Sequence, residues 1–221
     1  MTSIALINDE ASPHDSADER RELFASLVER VKRGDTPAFE QIMTFTERSV
    51  MRTAWRMLGT REDARDASQE TFLRAYKYLH RFDPRQDFSA WLYRITINVC
   101  LDIRRKQERR NERFASLEAG VLEDVRHGHD EEEAAIRRQH EAILLQALET
   151  LTTKERAAIV LRDFENLPTE EVARILGSRP ATVRSQISAA RQKIKTYCDC
   201  FLRRTGRNNL TSREGIFERR R

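Results

Sequence analysis

Arg184, Ser185, Ser188, Arg191 and Lys195 follow one another at mostly three- and four-residue intervals. On a helix that spacing sets them on or near one side. Arginine can bridge two acceptors on a guanine edge or clamp a phosphate, and serine makes short contacts to either. This is chemistry for holding duplex DNA rather than for breaking a bond. Such a helix needs something to carry it into the groove, and the residues before it supply the pattern. The run from Pro168 to Lys195 reads as a short helix, a break at Gly177 to Pro180 and a longer helix with a basic outer face. That is the grammar of a helix-turn-helix, whose second helix enters the major groove. Thr169 is positioned to cap the first helix, with Glu170 and Glu171 near its positive end. Gly177 stands where a left-handed C-terminal cap is needed, and Pro180 suits a first turn. Val172, Ile175, Leu176, Val183 and Ile187 form the apolar seam, with small Ala173 where the two helices press closest. An ordinary helical hairpin shares most of this pattern.

Composition narrows the alternatives. In 221 residues, 34% are charged and 39% apolar, so any core is modest and the surface dense with charge. Seven glycines, five prolines and the lack of long alternating β-branched runs predict an all-α fold. The formal net charge is only +4, but acidic and basic residues are segregated along the chain. No stretch approaches the roughly 20 apolar residues that span a bilayer, which predicts no membrane insertion. Met1 to Arg20 lacks the order of a signal peptide. Three cysteines, Cys100, Cys198 and Cys200, make no disulfide framework, so a reducing cytoplasm is expected. Cys198-Asp-Cys200 and His127-Gly-His129 each offer at most two ligands, in spacings that do not suit zinc. No metal or cofactor is expected. Carboxylates such as Asp63 and Asp66 lack a nucleophile–base pairing or a phosphate loop beside them, which argues against an enzyme.

Five segments emerge. Residues 1–19 read as a flexible leader and 20–110 as a first helical domain. There helices are expected over Glu22 to Lys32, from Thr36-Pro37 to Leu58, from Arg61 to about His80, and from about Ser89. Phe72, Tyr76 and Leu79 repeat as a buried stripe, and Trp91 is read as core. Pro84 forbids a continuous helix through Phe82 to Phe88. Residues 111–133 lose the apolar period and gather Glu123, Asp124 and Asp130 to Glu133, an acidic flexible linker. Extended, its roughly 23 residues reach on the order of 75 Å. Residues 134–201 form a second small helical domain, opened by a stripe at Ile143, Leu144, Ala147 and Leu148 and by a capping box at Thr152 and Glu155. Residues 202–221 are a basic tail, with seven arginines from Arg203 to Arg221 against Glu214 and Glu218. It reads either as a phosphate contact or as a disordered solubilising end.

Two separated stretches together resemble the extracytoplasmic-function (group 4) family of bacterial RNA polymerase sigma factors. Asp66-Ala-Ser-Gln-Glu-Thr-Phe-Leu-Arg-Ala-Tyr76 with Phe88 to Arg105 is similar to sigma regions 2.2 to 2.4. Leu148 to Arg191 is similar to sigma region 4. The resemblance implies a sigma region 2 bundle and a region 4 helix-turn-helix. The first would bind core polymerase and the −10 element, and the second the −35 element. It implies that Asp66, Gln69 and Glu70 grip the β′ clamp helices, with the β flap a further polymerase contact. It assigns Arg94, Asn98, Arg104 and Arg105 to the −10 element, and the His80 to Asp87 loop to a base turned out of the stack, where His80 and Phe82 are able to stack. At the −35 element it implies Arg179, Thr182, Arg184, Ser185, Ser188, Arg191 and Lys195, the last two mainly on phosphates. It implies an anti-sigma partner and a bacterial cytoplasmic setting as well. The family has an apolar residue where Ser178 stands and a hydroxyl cap where Arg179 stands. The rival reading is a helix-turn-helix regulator with an N-terminal ligand-binding or dimerisation module, against which the Asp66 to Tyr76 motif argues.

Overall fold

Residues 17–113 and 131–217 are described by the computed structural model, with side chains described over 19–109 and 139–203. The leader to residue 16, the acidic stretch with Glu123, Asp124 and Asp130, the His127-Gly-His129 pair and residues 218–221 lie outside the described residues. The element order is α1 (Ala17–Lys32), α2 (Thr36–Leu58), α3 (Arg61–Tyr78), a 3₁₀ turn (Leu79–Arg81), α4 (Phe88–Arg113), α5 (Glu131–Glu149), α6 (Thr153–Ile159), a π turn (Val160–Phe164), α7 (Thr169–Leu176) and α8 (Pro180–Phe217). Among the described residues there is no strand.

Local chemistry explains most boundaries. The Asp35 carboxylate accepts from the Ala38 amide as α2 begins, with Pro37 in the first turn, and Gly59 ends that helix at φ 89°. The Thr60 hydroxyl accepts from the Asp63 amide at 3.1 Å, and the Asp87 carboxylate from the Ala90 amide at 2.7 Å. Thr152 and Glu155 close the expected capping box, at 3.3 and 2.8 Å. Gly177 adopts φ 59°, ψ 37° after α7. The Ser178 amide then donates to the Ala173 carbonyl, and that of Gly177 to Arg174, the two bonds of a Schellman stop.

Helices α1 to α4 pack around Phe24, Leu27, Val28, Phe39, Ile42, Val50, Leu79, Phe82, Phe88 and Leu92. A second apolar cluster joins Met57, Ala64, Ala67, Ile97 and Cys100 of α2 to α4 with Ala157, Val160, Leu161, Val172, Val183 and Ile187 of the later helices. The two halves of the chain thus share a core. Leu148, Leu151, Ile159 and Ala190 make a smaller one behind α8.

Several local expectations need correction. Phe82 is 3% exposed, its ring 5.4 Å from that of Phe88 and 5.2 Å from that of Trp91. It fills the core because the loop after the 3₁₀ turn must be anchored, so it presents no stacking face to solvent. Tyr76 leaves the buried stripe: it is half exposed and touches Phe39 only edge-on. Phe72 and Trp91 are partly buried against the core. Thr169 does not cap α7, because that helix already includes it; extended Pro168 is the cap residue and provides no side-chain bond. Helix α8 does not stop near Lys195 or Phe201 but runs to Phe217, through much of the expected tail. No proline follows Pro180 to interrupt it.

Two stability predictions follow from this packing. Phe82→Ala should cost about 3–5 kcal/mol in denaturant unfolding, a buried aromatic's worth, whereas exposed His80→Ala should stay within about 0.5 kcal/mol. A Cβ at Gly177 meets nothing within 4 Å, so Gly177→Ala should lose only the roughly 1–2 kcal/mol of left-handed backbone. Thermal unfolding should rank Gly177→Asn between the two, since asparagine tolerates that conformation better.

Candidate nucleic-acid interface

The candidate reading helix is the first half of α8. Val183, Ile187 and Ala190 are buried on its inner side, a three- and four-residue spacing that fixes its rotation against α6 and α7. That rotation leaves Thr182, Arg184, Ser185, Ser188, Arg191 and Lys195 exposed. The side chain of Arg179 is exposed too, while its carbonyl accepts from the Val183 amide at 3.1 Å. That is the first intrahelical bond, which any residue in this place accepts; the guanidinium, a donor only, does not replace the hydroxyl as a cap.

Two of these arginines are already held by carboxylates. Arg191 makes a bidentate pair with Asp163 at 2.8 and 2.6 Å, and the hydrogen bond raises its pKa above the usual arginine value. Arg184 reaches Glu170 on α7 at 3.2 Å. A shallow groove runs between the π turn, the start of α7 and α8. It adds Arg162, Thr169 and Gln192 to Ser188 and Lys195. Those three were missed in the sequence: Arg162 belongs to another element, and Thr169 reads as a cap. Gln192 had a signal, four residues after Ser188.

On α4, Arg94, Asn98 and Arg105 are exposed. Their offsets of four and eleven residues set them on one face. Arg104 departs from it. It is half-buried and donates to the Met57 carbonyl at 3.0 Å, on the side of α4 that meets α2. His80 is exposed in the 3₁₀ turn, beside Arg81 at 3.2 Å, and residues 83–87 are exposed after it. Phe82 beneath them is the anchor and does not share their surface.

A third surface lies on α3. Asp66 and Gln69 are exposed, and Glu70 is held at 2.7 Å by Arg74, which also reaches Asp102 of α4 at 3.1 Å. Leu73 and Tyr76, 68 and 51% exposed, continue this face four and seven residues after Gln69. Apolar side chains so exposed beside carboxylates suit a protein surface rather than DNA. Leu73 escaped sequence reasoning because a lone leucine in a helix reads as core. Among the described residues no group of three or more His, Cys, Asp or Glu could hold a metal ion, and no helix is long and apolar enough to cross a membrane.

These surfaces coincide with the segments that known families share. Residues 46–110 match the model of sigma-70 region 2, and residues 141–194 that of sigma-70 region 4. The ECF RNA polymerase sigma factor SigW of Bacillus subtilis is 30% identical over 180 residues, covering 78% of this chain and 95% of that protein. The RNA polymerase sigma-H factor of Pseudomonas aeruginosa is 31% identical over 182 residues, with 80 and 94% covered. Among solved structures, CnrH in complex with the cytosolic domain of CnrY aligns with a TM-score of 0.60 at 26% identity, covering 84% of this chain and 99% of that one. With both regions in one chain, in the order of relatives matched over nearly their whole length, this protein belongs to the extracytoplasmic-function family of sigma-70 RNA polymerase sigma factors.

Proposed function

We propose that this chain binds core RNA polymerase, directs it to promoters through a −35 and a −10 element, and promotes melting of the latter. The observation that carries the reading is the pairing of a region 2 and a region 4 segment in one chain, each with an exposed face chemically suited to its task. In this reading residues 20–110 and 134–201 act as two domains, and polymerisation belongs to the partner. Asp66, Gln69 and Glu70, joined by Leu73 and Tyr76, meet the β′ clamp helices, and region 4 meets the β flap.

The −35 contacts would come from Thr182, Arg184, Ser185 and Ser188 near base edges, with Arg191 and Lys195 on phosphates. Arginine forks and short hydroxyls on one exposed helix face support this division. Arg94, Asn98 and Arg105 would meet the −10 strand, with His80 at the rim of the loop receiving an extruded base. The solved CnrH neighbour is bound to a second protein, which supports restraint of this chain by an anti-sigma partner in a bacterial cytoplasm.

Core polymerase should initiate from a homoduplex promoter only when this protein is added, and a pre-melted bubble template should relieve much of the requirement for melting. A chain that neither binds core nor directs initiation overturns the reading. Asn98→Ala should reduce open-complex formation, followed by permanganate reactivity, by roughly tenfold, as expected for loss of one hydrogen-bonding contact. Its affinity for core should stay within about twofold, since Asn98 is exposed on α4. Equal loss of both would assign Asn98 elsewhere. Arg179→Ser should weaken −35 binding and flatten its salt dependence, because a phosphate-pairing arginine releases counterions. Unchanged binding would overturn a DNA-contacting role for Arg179.

A further inference from the structure

The loop after α3 supplies no open phenyl ring of its own, for Phe82 and Phe88 are 3 and 2% exposed. The ring that stays open lies just ahead of them. Tyr78 closes α3 with φ −102° and ψ 3°, off the ideal helix and in the sparsely populated region between helix and strand. The chain then tightens into the 3₁₀ turn, which sinks Leu79 into the core and leaves Tyr78 37% exposed. Tyr78 also stands apart from the face of α3 that carries Gln69, Leu73 and Tyr76. At about 100° per residue it lies roughly 200° around the helix from Tyr76. A partner docked on that face need not cover it.

Two cations border this ring. The Lys77 ammonium and the Arg81 guanidinium each lie 5.6 Å from its centre, and Arg81 reaches on to His80 at 3.2 Å. The carboxylates of the adjoining loop are engaged by backbone amides: Asp83 accepts from Arg85 at 3.0 Å and Asp87 from Ala90 at 2.7 Å. Helix α1 braces the loop from the other side. Lys32 donates to the Phe82 carbonyl at 3.1 Å, Arg21 donates to the Arg85 carbonyl, and Phe24 stacks on Phe88 with ring centres 4.9 Å apart. A support held in this way needs little ordering when something binds beside it. An open π face bordered by cations matches one unit of a single DNA strand. The base stacks on the ring, and the phosphates on either side of it meet Lys77 and Arg81.

We propose that Tyr78, bordered by Lys77 and Arg81, is a stacking platform for an unpaired base of the melted strand, next to the base received by the His80 to Asp87 loop. In duplex DNA each base face is covered by the next pair, so the platform engages only after the strand has opened. It adds affinity for the melted promoter and none for the closed one, and that difference shifts the equilibrium towards melting. It reads no base identity, since every base has a π face. The proposal rests on the sigma-factor reading above.

The test uses the full chain assembled with core polymerase on a promoter from which it initiates. That promoter is prepared as a homoduplex and as a pre-melted bubble whose non-template strand carries single abasic sites, one position at a time. Tyr78→Ala should weaken binding to the intact bubble by roughly five- to thirtyfold, the worth of one stacked base, and Tyr78→Trp should retain it. Affinity for core and for the closed homoduplex should stay within about twofold, and thermal unfolding should be unchanged, because Tyr78 is exposed. At one abasic position the wild-type and Tyr78→Ala proteins should bind alike, since no base remains there to stack. A folded Tyr78→Ala that holds the bubble as tightly as wild-type overturns the platform. A loss of equal size at every abasic position marks a structural role and overturns it too. Lost affinity for core would make Tyr78 a protein contact, which is equally fatal. A wild-type chain that neither binds core nor initiates from any promoter overturns the sigma reading itself, and the platform with it.

Discussion

A carboxylate taken out of water must have its lone pairs filled by donors, or the fold that buries it does not form. Glu165 meets that condition with two side chains of one helix far away in sequence, Thr53 and Arg56 on α2. The arrangement of the whole molecule turns on this requirement. The π turn must unwind α6 to project Glu165, and α2 must present Thr53 and Arg56, three residues apart on one face, to receive it. The apolar cluster spanning Met57, Ile97, Cys100, Leu161 and Val172 is then enclosed between them. A chain with 34% charged residues has little apolar surface to divide into separate cores, so sharing one across the seam is an economical use of it.

The outer faces follow a different rule. Arg184, Arg191 and Arg74 each stand on exposed helix surfaces, paired with Glu170, Asp163 and with Glu70 and Asp102 respectively. In water such pairs add little stability, but they hold long side chains in one extended rotamer. On α8 this keeps two guanidinium forks presented along the groove side. On α3 it frames the exposed Leu73 and Tyr76. Positive and apolar faces therefore lie on separate helices, as befits a protein that touches a nucleic acid and a large enzyme at once.

Much of the fold was legible from local signals. The Thr152–Glu155 box, the left-handed Gly177, the Pro37 and Pro180 helix starts and the Val183 to Ile187 seam all depend on residues within a turn or two of one another. Where the readings missed, neighbours distant in sequence had decided. Phe82 was drawn into the core by Phe88 and Trp91 and by the need to pin its loop, which no periodicity reveals. Tyr76 kept the right spacing for burial, yet nothing packs over its outer half, since its neighbours cover only the inner edge. Arg104 has the same chemistry as Arg105, and one step around the helix sends it to the Met57 carbonyl instead of to solvent.

The amino-acid sequence alone determined the helical class, the helix-turn-helix, the family and which residue types could hold DNA. Those features rest on helical periodicity, backbone preference and caps, which act over a few residues. The tertiary structure decided which of those residues face outward, and that the two regions close on one another through Glu165. Both depend on burial, and whether a side chain is buried is set by what folds against it, something a linear string of residues does not carry.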